Sequence, residues 1–161
     1  MNNQTVINTT GEPINEAPAV DAANTPAVPT LPVGYLADGY YATAEDGAKY
    51  LRPEFVGQYA EIMASLLADM KQADLNSLCR ELKRTVKKKL PYEARLTAVT
   101  EMLPRAMTLV CCHKAPALLL AFIKDNLDNI HDNEDVVAFV RFLTAISGYH
   151  SLGALMAQEA E

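Results

Sequence analysis

A chain of 161 residues, half of them hydrophobic, has room for one domain and enough apolar surface to close a core. Its net charge of −6 excludes nucleic-acid binding through the surface at large, so any such contact must be local. Three cysteines, two of them adjacent (Cys111 and Cys112), exclude a disulfide framework. With no signal-peptide pattern at the start, they point to a cytoplasmic protein.

Residues 1–34 hold five of the nine prolines (Pro13, Pro18, Pro26, Pro29, Pro32) and no Lys or Arg. Such a segment buries too little apolar surface to offset its ordering entropy, and we expect a disordered arm preceding a helical domain over residues 35–158. Tyr35, Tyr40, Tyr41 and Tyr50 then crowd together with Gly34, Gly39 and Gly47. This reads as irregular chain laid across the outside of a helical body, with hydroxyls at the water edge.

Helices follow. Pro53 suits a first turn, and Phe55, Val56, Tyr59, Ile62, Met63, Leu66, Leu67 and Met70 trace one apolar face over roughly four turns. After a link at Lys71–Ala73, Asp74 is placed to cap a helix whose apolar stripe is Leu75, Leu78, Cys79, Leu82 and Val86. Lys89, Leu90 and Pro91 end that helix, because Pro91 has no N–H and disfavours helical geometry at Leu90. Leu96, Val99, Met102 and Leu103 continue a third pattern, which Pro104 kinks or restarts at Arg105. Leu118, Leu119, Leu120, Phe122, Ile123 and Leu127 are apolar nearly all round, as in a central helix. The last helix opens at Asn133, with Glu134 and Asp135 in its first turn, and buries Val136, Phe139, Val140, Leu143 and Ile146. No strand pattern of useful length is present, so the fold class is all-α, a single bundle of five to six helices. No apolar run approaches a membrane span: Ala115 to Ile123 is broken by Pro116 and followed by Lys124.

The charge is not spread evenly. Between Arg80 and Arg105 lie eight of the fourteen basic residues (Arg80, Lys83, Arg84, Lys87, Lys88, Lys89, Arg95, Arg105) against three acids (Glu81, Glu93, Glu101). At about 100° per residue, Arg80, Lys83, Arg84, Lys87 and Lys88 share one arc opposite the apolar stripe, with Glu81 at its edge. A concentrated cationic face on an acidic protein meets a polyanion or an acidic partner. Part of the clustering also has a structural cause, because cations in a last turn are favoured by the helix dipole. Lys89, Tyr92 and Arg95 are expected to form a compact corner beside the strip, with the Tyr92 ring packed inward.

Catalytic chemistry is thin. Cys111, Cys112 and His113, with His131, Asp132 and His150 further on, lack metal-ligand spacing and read as two small apolar core residues followed by a surface histidine. A Cys–His nucleophile pair stays open at this point, since such partners meet in space. With no phosphate-cradling Gly-rich loop, no H-E-x-x-H and no G-x-S-x-G, neither enzyme activity nor a metal or cofactor is expected.

Three pieces occur in a suggestive order. They are the Tyr-Gly segment and helix start from Leu36 to Gln58, the basic stretch from Val86 to Arg95 (Lys89, Leu90, Tyr92, Arg95), and the final helix from Phe139 to His150 (Phe139, Phe142, Ala145, Tyr149, His150). In that order the chain resembles the Csm-type small subunit of type III-A CRISPR effector complexes, although Pro91 stands where that family tends to have a small residue. The resemblance implies a non-catalytic, helical RNA-binding subunit of an antiviral ribonucleoprotein. Its partners would be guide RNA and target RNA, other subunits of the complex and copies of itself, with no membrane. RNA contact is expected at Arg80, Lys83, Arg84, Lys87, Lys88, Lys89, Tyr92, Arg95 and Arg105. The alternatives are a helical adaptor for an acidic protein, which would show the same strip, and a thiol enzyme using Cys111 and Cys112.

Overall fold

The computed structural model describes residues 30–159. The predicted arm lies outside these residues except at its end, where Leu31 packs against the core and the Pro32 carbonyl accepts the Tyr35 N–H.

The fold is an all-α bundle. Its helices are α1 (Pro53–Val56), α2 (Gln58–Leu66), α3 (Gln72–Lys87), α4 (Tyr92–Thr100), α5 (Met102–Cys111), α6 (Leu118–Asp128) and α7 (Asn133–Glu159). Since α1 runs into α2 and α4 into α5, they form five rods. The face read as unbroken from Phe55 to Met70 is interrupted at Gly57, whose φ of −110° and ψ of −108° leave the helical region. A Cβ there would sit 3.2 Å from the Pro53 carbonyl oxygen, tighter than most side chains tolerate. Between α4 and α5 the step falls at Glu101, so that Pro104, which has no N–H to donate, occupies the opening turn of α5.

Strands were not expected, yet Tyr41–Thr43 (β1) and Lys49–Leu51 (β2) pair antiparallel, Tyr41 opposite Leu51 and Ala42 opposite Tyr50. Gly47, at φ +83°, turns the hairpin. Three residues per strand are too few to show an alternating pattern.

The tyrosine segment is an outer wrapping only at Tyr41, half-buried, and Tyr50, exposed. Tyr40 is fully buried and Tyr35 nearly so. Their rings join Phe55, Tyr59, Phe122 and Phe142 in a cluster of mostly edge-on contacts, among them Phe55–Phe142 at 5.3 Å and Phe55–Tyr59 at 5.4 Å. Asn126 makes that burial affordable for the hydroxyls: Tyr40 donates to its Oδ1 at 2.8 Å, and its Nδ2 donates to the Tyr35 oxygen at 2.7 Å. Asn126 itself is fully buried on α6, a helix whose opposite side, including Ala121, Lys124 and Asp125, is exposed. Burial pushes the pKa of both tyrosines well above the usual phenol range.

α7 contacts α1, α2, α3 and α4 and buries Val136, Ala138, Phe139, Phe142, Leu143, Ile146 and His150. By length and composition α7 could cross a bilayer, although no continuous apolar run marks it in the sequence. Core packing accounts for part of that apolarity, while Leu152, Leu155 and Met156 near its end are exposed. Asp132 caps α7, accepting the N–H groups of Glu134 at 2.7 Å and Asp135 at 2.9 Å, one residue before the expected start at Asn133. The Asp135 carboxylate reaches back to the His131 N–H at 2.9 Å and completes a reciprocal cap.

Candidate nucleic-acid interface

The basic helix is α3, and its inner face is the predicted one: Leu75, Leu78, Cys79 and Leu82 are buried, Thr85 joins them, and Val86 is half-buried. Lys71, not Asp74, is the N-cap; Asp74 falls in the first turn, where its charge faces the positive end of the helix dipole.

The helix ends at the expected place, and Lys89 and Leu90 make the closure. Lys89 takes the left-handed conformation (φ 53°), the Leu90 N–H bonds the Thr85 carbonyl at 3.1 Å, and the Lys89 N–H bonds the Val86 carbonyl at 3.0 Å. This is a Schellman closure with lysine where glycine is usual. It carries the chain sharply outward, so that Lys87, Lys88, Lys89 and Leu90 all stand exposed. Pro91 instead caps α4.

Arg80 and Arg84 are exposed and Lys83 is half-buried along the same outer side. Glu81 is consumed by Arg84, 2.6 Å from its Nη2. Among the described residues, Arg80, Lys83, Lys87, Lys88 and Lys89 have no carboxylate within ion-pair distance. From Arg80 to Lys88 the strip runs roughly 12 Å along the axis. Beneath it, burial pushes the Cys79 thiol up to about 11, with Lys83 opposing, so this cysteine stays protonated.

Three predicted contacts lie elsewhere. Arg105 sits in a depression with Asp74, Ser77, Leu78 and Thr108 in the first half of α3, roughly 14–20 Å along the axis from Lys87, and pairs with Glu101 at 3.3 Å. The corner of Lys89, Tyr92 and Arg95 does not form as a cationic surface. Tyr92 is half-buried against the core, with its hydroxyl 3.4 Å from the Ile130 carbonyl oxygen. Arg95 is buried because its Nε donates to the Leu90 carbonyl at 2.7 Å, which pulls the guanidinium under the turn.

The cysteine–histidine candidates do not assemble. Cys111 and Cys112 are exposed at the end of α5 rather than in the core, and Cys79 is the buried cysteine. His150 is buried far along α7, its ring nitrogens 2.6 Å from Gln72 Oε1 and 3.0 Å from the Leu67 carbonyl oxygen. Among the described residues no cluster of His, Cys, Asp and Glu could hold a metal ion.

Comparison with protein-family models, with curated proteins and with solved structures found no match.

Proposed function

We propose that this protein binds RNA through the outer face of α3, contacting phosphates without reading bases. One observation carries the reading: Arg80, Lys83, Lys87, Lys88 and Lys89 line one exposed helix face and its closing turn with no acidic partner, on a protein of net charge −6. Cations held this way release counterions from a phosphate backbone and carry no sequence information, which suits a subunit serving many guides. Membership of a type III-A effector complex, as a non-catalytic subunit beside guide and target strands, rests on the sequence resemblance alone. Tyr92, Arg95 and Arg105 fall outside the strip.

The test uses the full chain and two single-stranded RNA 15-mers of unrelated sequence, titrated across salt. Affinity should be the same for both and fall steeply with salt. Lys87→Ala with Lys88→Ala should weaken both and lower the salt slope by roughly 1.4 to 2 units. Unchanged affinity and slope would remove the strip from RNA binding. Competition by polyglutamate but not by RNA would favour an acidic protein partner.

A further inference from the structure

Arg95 presents an unused half. The residue is 9% exposed, and of its five donor hydrogens only Nε–H has a protein acceptor among the described residues. Neither Nη is sealed from solvent, so both stand open to an anion at that edge. Its open edge meets a groove of 560 Å³ between the hairpin and the start of α7, shared with Tyr41, Lys49, Glu134 and Arg141. Volumes of roughly 300–1,000 Å³ are those of small-ligand sites.

The groove is chemically specific. Arg95, Lys49 and Arg141 bring three positive charges and Glu134 one negative, with the Asp132 and Asp135 carboxylates also near Tyr41. A phosphate monoester, with a charge of about −1.5 to −2 at neutral pH, is drawn to the three cations more strongly than the single charge of an internal phosphodiester. A guanidinium presenting an edge of parallel N–H groups suits a phosphate in bidentate fashion. The remaining wall mixes Leu51, Val137 and the Tyr41 and Tyr50 rings with the polar Asn133. Tyr41 is held in place, since its hydroxyl donates to the Glu134 carbonyl at 3.0 Å. A flat aromatic base has a surface to lie on beside the phosphate.

We propose that this groove binds a terminal nucleotide phosphate, with Arg95 and Arg141 gripping the phosphoryl oxygens and Tyr41, Leu51 and Val137 receiving the base. It stands on residues other than the α3 strip and does not depend on the strip binding RNA. The nucleotide is either free or the 5′ end of an RNA strand; both present the same chemistry.

The experiment titrates the full-length protein with 5′-AMP and with adenosine by calorimetry, then with one RNA 15-mer carrying either a 5′ phosphate or a 5′ hydroxyl. 5′-AMP should bind at least tenfold more tightly than adenosine. Arg141→Ala, at an exposed position, should abolish that preference, and Arg95→Lys should reduce it. Lys87→Ala with Lys88→Ala should leave it unchanged, so loss of the strip reading and loss of the groove reading are separable. A tighter grip on the 5′-phosphorylated RNA, lost in Arg141→Ala, identifies the source as an RNA end; equal affinity for the two RNAs with 5′-AMP still preferred identifies a free nucleotide. Equal binding of 5′-AMP and adenosine, or a 5′-AMP preference that survives Arg141→Ala, overturns the proposal.

Discussion

The Tyr35–Tyr50 segment and the α3 strip are both rich in long side chains with polar ends, and the molecule treats them oppositely. Tyr35 and Tyr40 are drawn inside, whereas Arg80, Lys87, Lys88 and Lys89 are pushed out. The difference lies in what each polar end requires. A neutral hydroxyl is satisfied by one buried amide, and Asn126 supplies it for both tyrosines. An ammonium has no such substitute for water, so the lysines bury at most their stems. Arg95 shows the intermediate case, a cation drawn in far enough to use one donor and left open at the other edge.

The largest effect should come from removing the hub. Asn126→Leu keeps the volume but leaves the fully buried Tyr40 hydroxyl without an acceptor and the Tyr35 oxygen without a donor. It should cost about 3 kcal/mol, seen as a melting temperature lowered by roughly 10 °C. Tyr40→Phe combined with Asn126→Leu should recover part of the loss, because the orphaned hydroxyl is gone. A variant as stable as the parent would mean that the tyrosines are buried for their rings alone.

Alkaline pH attacks the core beneath the strip next. Cys79 ionises near 9.0 in the unfolded chain and near 11 when buried, so the folded state keeps a proton that the unfolded state has released. Stability from this group is full below pH 9 and is lost as pH rises toward 11, by about 2–3 kcal/mol. Tyr35 and Tyr40, also raised by burial, extend the loss to higher pH. Cys79→Ala should move the onset of alkaline destabilisation from about pH 9 to about pH 10, where tyrosine takes over. An onset that does not move would show that the thiol is not the group titrating.

How much of this was legible in the sequence follows from the same division. Helical periodicity exposed the stripe Leu75, Leu78, Cys79, Leu82 and therefore the outward side of α3, because one period governs both faces. It could not show Asn126, whose polar type reads as surface on any helix; only its tyrosine partners, some ninety residues earlier, bring it inside. Nor could it place Arg95. A basic residue three positions after Tyr92 reads as part of the cationic block, and the reversal comes from a single bond to the Leu90 carbonyl, which periodicity does not show. The adjacent cysteines misled for the opposite reason: their type suggests core, but they fall where α5 ends and the chain turns at His113 with φ 55°.

Two turns offer a finer test on the strip side. Lys89 and His113 both hold the left-handed conformation that glycine adopts without strain. Lys89→Gly should stabilise by about 1 kcal/mol and His113→Gly by a similar amount. Only Lys89→Gly should also weaken RNA binding, with the salt slope falling by about 0.7. Equal RNA affinity in both variants would place Lys89 outside the binding face.

The smallest expected effect belongs to Tyr92, which sits where the two regions meet. Its ring packs against the core below the exposed Lys87–Leu90 turn, and its hydroxyl reaches the Ile130 carbonyl oxygen at 3.4 Å. That distance is past the usual range for an O–H···O bond, so Tyr92→Phe should change stability by less than about 0.5 kcal/mol. RNA affinity should stay at the parent value as well, since the hydroxyl points toward Ile130 and not toward the lysines. Tyr92→Ala, by contrast, should destabilise through lost packing and weaken RNA binding only as far as the turn loosens. A fall in affinity for Tyr92→Phe at unchanged melting temperature would make the hydroxyl an RNA ligand, and the tyrosine would then belong with the strip and not with the aromatic interior.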